Sequence, residues 1–229
     1  MHKLLFTLFF FGFVTLAFAQ AQTPMSATVL ETPFQGLNVT VKADNAVEGS
    51  PLLFDNWKRG EVTLDNGETF PVDKINFDAQ HNLFLYSVHD TVYEFLTIVK
   101  EIKIFDYSDA ESPNHVMIFK HNVDPESDNF VQVLDTGKVT IFQTFSKKPE
   151  GENYSNGIVN NTRKYALHTT LYALVNKVAM PIKYSASALD DLTADKRKEV
   201  EAFVKENKLK VKREPDFLKA IDFYNSIGS

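Results

Sequence analysis

The feature that most constrains this chain is a succession of short β-branched and aromatic runs, each ended by turn residues and spaced too closely for helical crossovers. From residue 49 onward such runs cover 61–64, 69–77, 83–88, 92–96, 99–105, 115–121, 130–134, 139–145, 165–175 and 178–184, with one earlier run over 36–42. Parallel pairing needs a connection of about a dozen or more residues, so gaps this short predict antiparallel neighbours joined as a meander. The connections agree: Asp65-Asn66-Gly67, whose Asn-Gly pair can take the positive φ of a tight turn, and the short joins His89-Asp90, Asp135-Thr136-Gly137-Lys138 and Asn176-Lys177.

Near the end the period changes from two to about 3.6. Thr193 is placed to cap a helix running to about Asn207, with Val200, Phe203 and Val204 on one stripe, and Pro215 fits the first turn of a second. That second helix lines up Phe217, Leu218, Ile221, Tyr224 and Ile227 on one side. Amphipathic helices need a surface to pack on. The expected fold is therefore mainly β: an antiparallel meander forming a sandwich or partly open barrel, with two C-terminal amphipathic helices packed on it. The domain expected is single, over 49–229, with its helical part from about 187. The polar stretch 20–48, broken by Pro24, Pro33 and Gly36, is expected to be a loosely ordered lead-in.

Residues 1–19 carry the pattern of a secretory leader: His2 and Lys3, an apolar run over 4–18, and the small-x-small triplet Ala17-Phe18-Ala19. The apolar run spans only about 22 Å at about 1.5 Å per residue, short of a hydrocarbon core of about 30 Å. Export, to a periplasmic, outer-membrane-associated or extracellular site, is the expectation. The chain contains no cysteine, which excludes disulfide frameworks, thiolate metal sites and cysteine nucleophiles, so the exported domain must rest on its core. Of the 20 phenylalanines six lie in the leader, and without it the chain reads as an ordinary acidic domain. The formal charge of −6 argues against nucleic acid as a partner. A membrane-spanning β-barrel would need an uninterrupted lipid-facing apolar set, and Glu94, Lys103 and Lys120 interrupt the runs.

Chemistry-bearing patterns are few. Val133-Leu134-Asp135-Thr136-Gly137 resembles the aspartic-protease loop, but that chemistry needs a second carboxylate sharing one proton, and there is no second copy of the motif. Lys138 would also crowd such a dyad with charge. A tight turn is the simpler reading. His81, His89, His115, His121 and His168 show no metal-ligand spacing: His115 and His121, six apart on one strand, lie about 20 Å from each other. The acidic stretch Asp124 to Asn129 lacks the spacing of an EF-hand loop and reads as a solvated turn. The basic cluster Lys196-Arg197-Lys198 with Lys205, Lys208, Lys210, Lys212 and Arg213 is interleaved with acids and reads as a solvated helix face. The strand aromatics Phe77, Phe84, Tyr86, Tyr93, Phe95, Phe119, Phe142, Phe145, Tyr165 and Tyr172 read first as core. No catalytic, cofactor-binding or metal-binding residue is assigned, and the ligand-binding residues are not identifiable from sequence.

The run Gly49-Ser50-Pro51-Leu52-Leu53-Phe54-Asp55-Asn56-Trp57 with Gly60-Glu61-Val62, the hairpin Leu64-Asp65-Asn66-Gly67-Glu68, the pairs Val133-Leu134 and Gly137-Lys138, and the tail 208–227 form a further pattern. Together they resemble a group of small secreted proteins of Bacteroidota. The resemblance covers most of the chain from about residue 49 and implies a bacterial envelope or secreted location, with no activity and no residue role to carry over. The expected function is a non-enzymatic binding or interaction module of the envelope, whose partner is a protein, glycan or lipid. The alternative is a carrier of a hydrophobic small molecule in a barrel cavity, which requires an unfilled interior.

Overall fold

The computed structural model describes residues 35–41, 47–106, 115–151, 153–155, 158–160 and 163–227. The expected leader, most of the lead-in and the loop around Ser108 to Pro113 lie outside the described residues.

The strands are β1 (Gly36–Asn38), β2 (Val47–Glu48), β3 (Lys58–Leu64), β4 (Thr69–Asp78), β5 (Leu83–Val88), β6 (Thr91–Phe95) and β7 (Val99–Asp106). They continue with β8 (His115–Lys120), β9 (Val131–Asp135), β10 (Val139–Glu150), β11 (Asn153–Ser155), β12 (Ile158–Asn160), β13 (Arg163–Val175) and β14 (Val178–Ile182). Twelve of them form one open sheet in the order β1-β6-β5-β4-β3-β7-β8-β9-β10-β13-β14, with β2 added to β13, while β11 and β12 make a separate small hairpin. Every pairing is antiparallel except β2 with β13, so the mainly β, meander-based fold expected from the sequence is the one observed. The Asp65-Asn66-Gly67 turn takes the left-handed conformation expected of it, with Gly67 at φ 87°, and His89 and Asp90 at 47° and 61° and Asn176 and Lys177 at 51° and 67° adopt it as well. The polar stretch between 149 and 163 is not simply a loop. β10 and β13 run on as a long two-stranded ribbon, in register from Val139 opposite Val175 to Glu150 opposite Lys164.

The sheet curls on itself. β4 and β8 are separated by β3 and β7, which in a flat sheet would hold them about 14 Å apart. Yet the ring of Phe77 on β4 lies 5.6 Å from Phe119 on β8, and Phe84 on β5 lies 5.1 Å from Phe119 edge-on. Around these rings Val62, Ile75, Tyr86, Ile102 and Ile104 are fully buried, so the concave interior is filled by side chains. The curl is fastened where β10 meets the end of β4. There the Lys147 N–H donates to the Ala79 carbonyl at 3.0 Å, and the Lys147 ammonium donates to the carbonyls of Ser50 and Leu52. Leu52 in turn bridges Asp78. The Gly49–Trp57 stretch singled out in the sequence thus includes the strip that lies along this seam.

The C-terminal part contains three helices rather than two. α1 (Ala186–Leu192) is capped by Ser185, whose Oγ accepts from the Ala188 N–H at 3.1 Å. α2 (Arg197–Glu206) and α3 (Glu214–Ile227) correspond to the two helices expected from the sequence. Thr193 does stand at the N-cap position of a 3-10 turn (Ala194–Lys196) that leads into α2, but its side chain makes no cap bond: it is buried at the end of α1, where its hydroxyl donates to the Leu189 carbonyl at 2.8 Å. Leu189, Leu192, Val200, Phe217, Ala220, Ile221 and Tyr224 pack on Val139 and Ile141 of β10 and on Leu171 and Ala173 of β13. Phe203 and Phe223 stack face to face at 4.0 Å, joining α2 to α3. Among the described residues no helix is long and apolar enough to cross a membrane.

Candidate functional site

The aspartic-protease-like loop is a helix-docking turn. Asp135 ends β9 and Val139 starts β10. Asn225 of α3 reaches into the turn, where its Oδ1 accepts from the Val139 N–H at 3.0 Å and its Nδ2 donates to the Val139 carbonyl at 2.9 Å. Gly137 is required by this approach, since a Cβ there would stand 2.4 Å from Asn225 Cγ. Lys138 pairs with Asp195 and lies over the Tyr224 ring at 5.2 Å, and the Tyr224 hydroxyl donates to Asp195 at 2.8 Å. The polar groups around the loop are therefore spent on holding the helices.

Asp135 itself is partly buried, and that burial, reinforced by the Asp222 carboxylate, pushes its carboxyl above the ordinary 3.8 despite the Thr136 N–H and Asn225. A carboxyl whose folded-state value is raised binds its proton more tightly when folded, so the fold loses stability as pH rises from about 3.8 through the raised value. Asp135→Asn removes this loss. Its stability relative to wild type is expected to rise between pH 3 and pH 7, measured by urea unfolding at each pH. If wild type instead gains on the variant over that interval, the carboxylate is stabilised by folding and a reactive role regains ground.

A second constellation, invisible as a motif, forms at the seam. The β4–β5 turn (79–82), the β8–β9 connection (124–129) and residues 142–146 of β10 enclose a cavity of about 400 Å³. Its floor is Phe142, Phe145 and Val131, continued by Tyr172, whose ring stacks on Phe142 at 5.2 Å with an interplanar angle of 7°. Register explains the floor: Phe142 on β10 stands directly opposite Tyr172 on β13. The walls carry Gln80, His81, Asn82, Asp124, Ser127, Asn129, Thr144 and Ser146.

Each wall is held by its own hydrogen bonds. Asp78, largely buried, accepts from the backbone N–H groups of Gln80 and His81 at 2.9 and 3.1 Å, and its Oδ2 meets His81 Nδ1 at 2.9 Å. Asn82 takes the left-handed conformation at φ 56°. From there it clasps the opposite wall, accepting from the Phe130 N–H at 2.7 Å and donating to the Phe130 carbonyl at 3.1 Å. The acidic stretch at 124–129 is a turn: Asp124 accepts from the Glu126 N–H at 3.0 Å and Ser127 from the Asn129 N–H at 3.3 Å. Two walls tied to each other across the cavity make a preorganised cleft.

A second hollow, about 240 Å³ and mostly apolar, lies between Leu83, Phe84, Phe95, Val99, His121 and Phe130. Leu96 and Ile98 stand at its rim, 52% and 67% exposed. His121 packs on Phe130 at 4.9 Å and belongs to this hollow, whereas His81 belongs to the cleft and His168 pairs with Glu150 at 2.7 Å on the ribbon. The histidines of the described residues are thus distributed rather than convergent. No protein-family model, no curated protein and no solved structure matches the chain.

Of the strand aromatics, Phe142, Phe145 and Tyr172 line the seam cleft, while Phe77, Phe84, Tyr86, Tyr93 and Phe119 are buried in the core. The cleft residues come from four separate segments between 79 and 172, so nothing in local spacing marks them.

Proposed function

We propose that the chain is an exported, non-enzymatic binding module of the cell envelope that takes a small ligand in the seam cleft. The observation that carries this reading is the contrast between a core packed solid with aromatic rings and a surface cavity of about 400 Å³ with tied walls, a size typical of small-ligand sites. Walls fixed by Asn82 and by the Asp78 turn lose little freedom when a ligand arrives, which favours binding. The leader pattern and the resemblance to secreted Bacteroidota proteins support an envelope or secreted location.

The carrier reading draws on the apolar hollow beneath Leu96 and Ile98. That hollow is smaller and opens to the surface, so it would seat one apolar group rather than enclose a carried molecule. The two readings separate in one experiment. Amide shifts of the isotope-labelled chain are followed while neutral oligosaccharides, short peptides and a medium-chain fatty acid are added in turn. Shifts clustered at 79–82, 124–129, 142–146 and 172 for one class support the cleft. Shifts confined to 83–84, 95–99 and 121, given by the fatty acid, would replace it with the carrier.

A further inference from the structure

Resting on the seam cleft as the binding site, we infer that its ligand is a short, uncharged saccharide. Three features of the cavity converge on that class. The first is the kind of hydrogen-bonding group it presents. Gln80 and Asn129 bring amides, and Thr144, Ser146 and Tyr172 bring hydroxyls, all of which donate and accept at once. Among the described residues no hydrogen bond engages these five side chains, whereas the neighbouring Asn82, Asp124 and Ser127 are committed to the walls. A sugar hydroxyl also donates and accepts, so such groups match a ring of hydroxyls without any net charge on either side. Gln80 and Asn129 are exposed and Thr144, Ser146 and Tyr172 half-buried, so a ligand hydroxyl would take the place of water on them.

The second feature is charge. Among the described residues no lysine or arginine lines the cleft, and Lys147, next to Ser146 on β10, is held on the carbonyls of Ser50 and Leu52. The Asp124 carboxylate stands in one wall, and the largely buried Asp78 lies behind His81 of the other, which sets the local potential against phosphates and organic acids. Among the described residues no group of three or more acidic or histidine side chains gathers that could hold a metal ion. A neutral ligand is the one that meets no electrostatic penalty.

The third feature is the floor. Phe142, Phe145 and Val131 with the Tyr172 ring give an apolar base beneath the polar walls. A pyranose ring has this same division, with C–H groups on its face and hydroxyls around its edge, so it can pack on aromatic carbon while its rim is hydrogen-bonded. His81 adds a directional group, its ring held by Asp78 on Nδ1.

The test titrates the labelled chain with trisaccharides of glucose and of N-acetylglucosamine, and with an uncharged tripeptide of similar size. Saturable shifts at Gln80, Asn129, Thr144, Ser146 and Tyr172 are expected with at least one trisaccharide and not with the tripeptide. Thr144→Val, Ser146→Ala and Tyr172→Phe each remove a hydroxyl with little change of shape, and each is expected to weaken that binding about 2- to 10-fold. Thr63→Val, on β3 and away from the cleft, is expected to leave it unchanged. Cleft shifts given by the tripeptide alone would overturn the saccharide while leaving the cleft in place. Shifts that avoid the cleft for every ligand would overturn both. Saccharide binding that all three hydroxyl variants leave intact would also overturn the assignment, because the hydrogen-bonding rim would then do nothing.

Discussion

Phe119→Ala is expected to lower the unfolding free energy by about 3–5 kcal/mol, the largest single loss available in the curled half of the sheet. Phe119 is fully buried and its ring meets Phe77 at 5.6 Å, Phe84 at 5.1 Å and Phe145 at 6.0 Å. These partners sit on β4, β5 and β10, so one ring fills the space between strands from both ends of the curl. Truncation removes its transfer free energy and leaves a cavity that three separate strands would have to move together to close. Urea unfolding measures the loss through the midpoint at constant slope. A loss under about 2 kcal/mol would mean that the curl collapses readily and that the interior is less tightly locked than its ring contacts imply.

Asn225→Leu is expected to cost about 2–4 kcal/mol, because it strands two buried backbone groups at once. The Val139 N–H and carbonyl both end on the Asn225 amide, and leucine has neither a donor nor an acceptor to offer them. Hydrophobic gain from the leucine does not offset an unsatisfied buried pair. Since α3 carries Phe217, Ile221 and Tyr224 onto β10, weakening this clasp should loosen the helices first. Hydrogen exchange would then speed up in α3 well before the amides of β3 and β7 respond. Equal acceleration in both regions would show that the clasp serves the whole fold alike rather than the helical layer.

What the sequence makes legible is what is local. Hairpin turns at Gly67, His89-Asp90 and Asn176-Lys177 are specified within two or three residues, and the strands beside them follow by alternation. The two longer helices carry their apolar stripe in the chain itself. α1 was hidden because its seven residues give barely two turns of periodicity, and because Thr193, which ends it, also has the chemistry of a residue that starts a helix. The parallel pairing of β2 with β13 joins residues more than 110 positions apart and leaves no trace in either segment.

The sites divide in the same way. Asp135-Thr136-Gly137 was visible as a motif but ambiguous, since a catalytic loop and a turn call for the same residues; only the arrival of Asn225 decides its use. One signal for that arrival was present, a polar asparagine on the buried stripe of α3, four residues after Ile221. The seam cleft had no such mark. Its wall residues are ordinary turn formers, and their second role exists only once the curl brings 79–82, 124–129 and 142–146 together.

The single backbone bond from Lys147 to Ala79 bears on more than the shape of the sheet. Meander hairpins close over short loops and form early, while contacts between distant segments must first overcome the entropy of closing a long loop. The bond that fastens the curl is such a contact, and the cleft takes shape only around it. The seam cleft is thus expected to form late in folding. A chain released in extended form on the far side of a membrane would become competent to bind only on completing its fold, and any ligand then held in the cleft would shift the balance further toward the finished state.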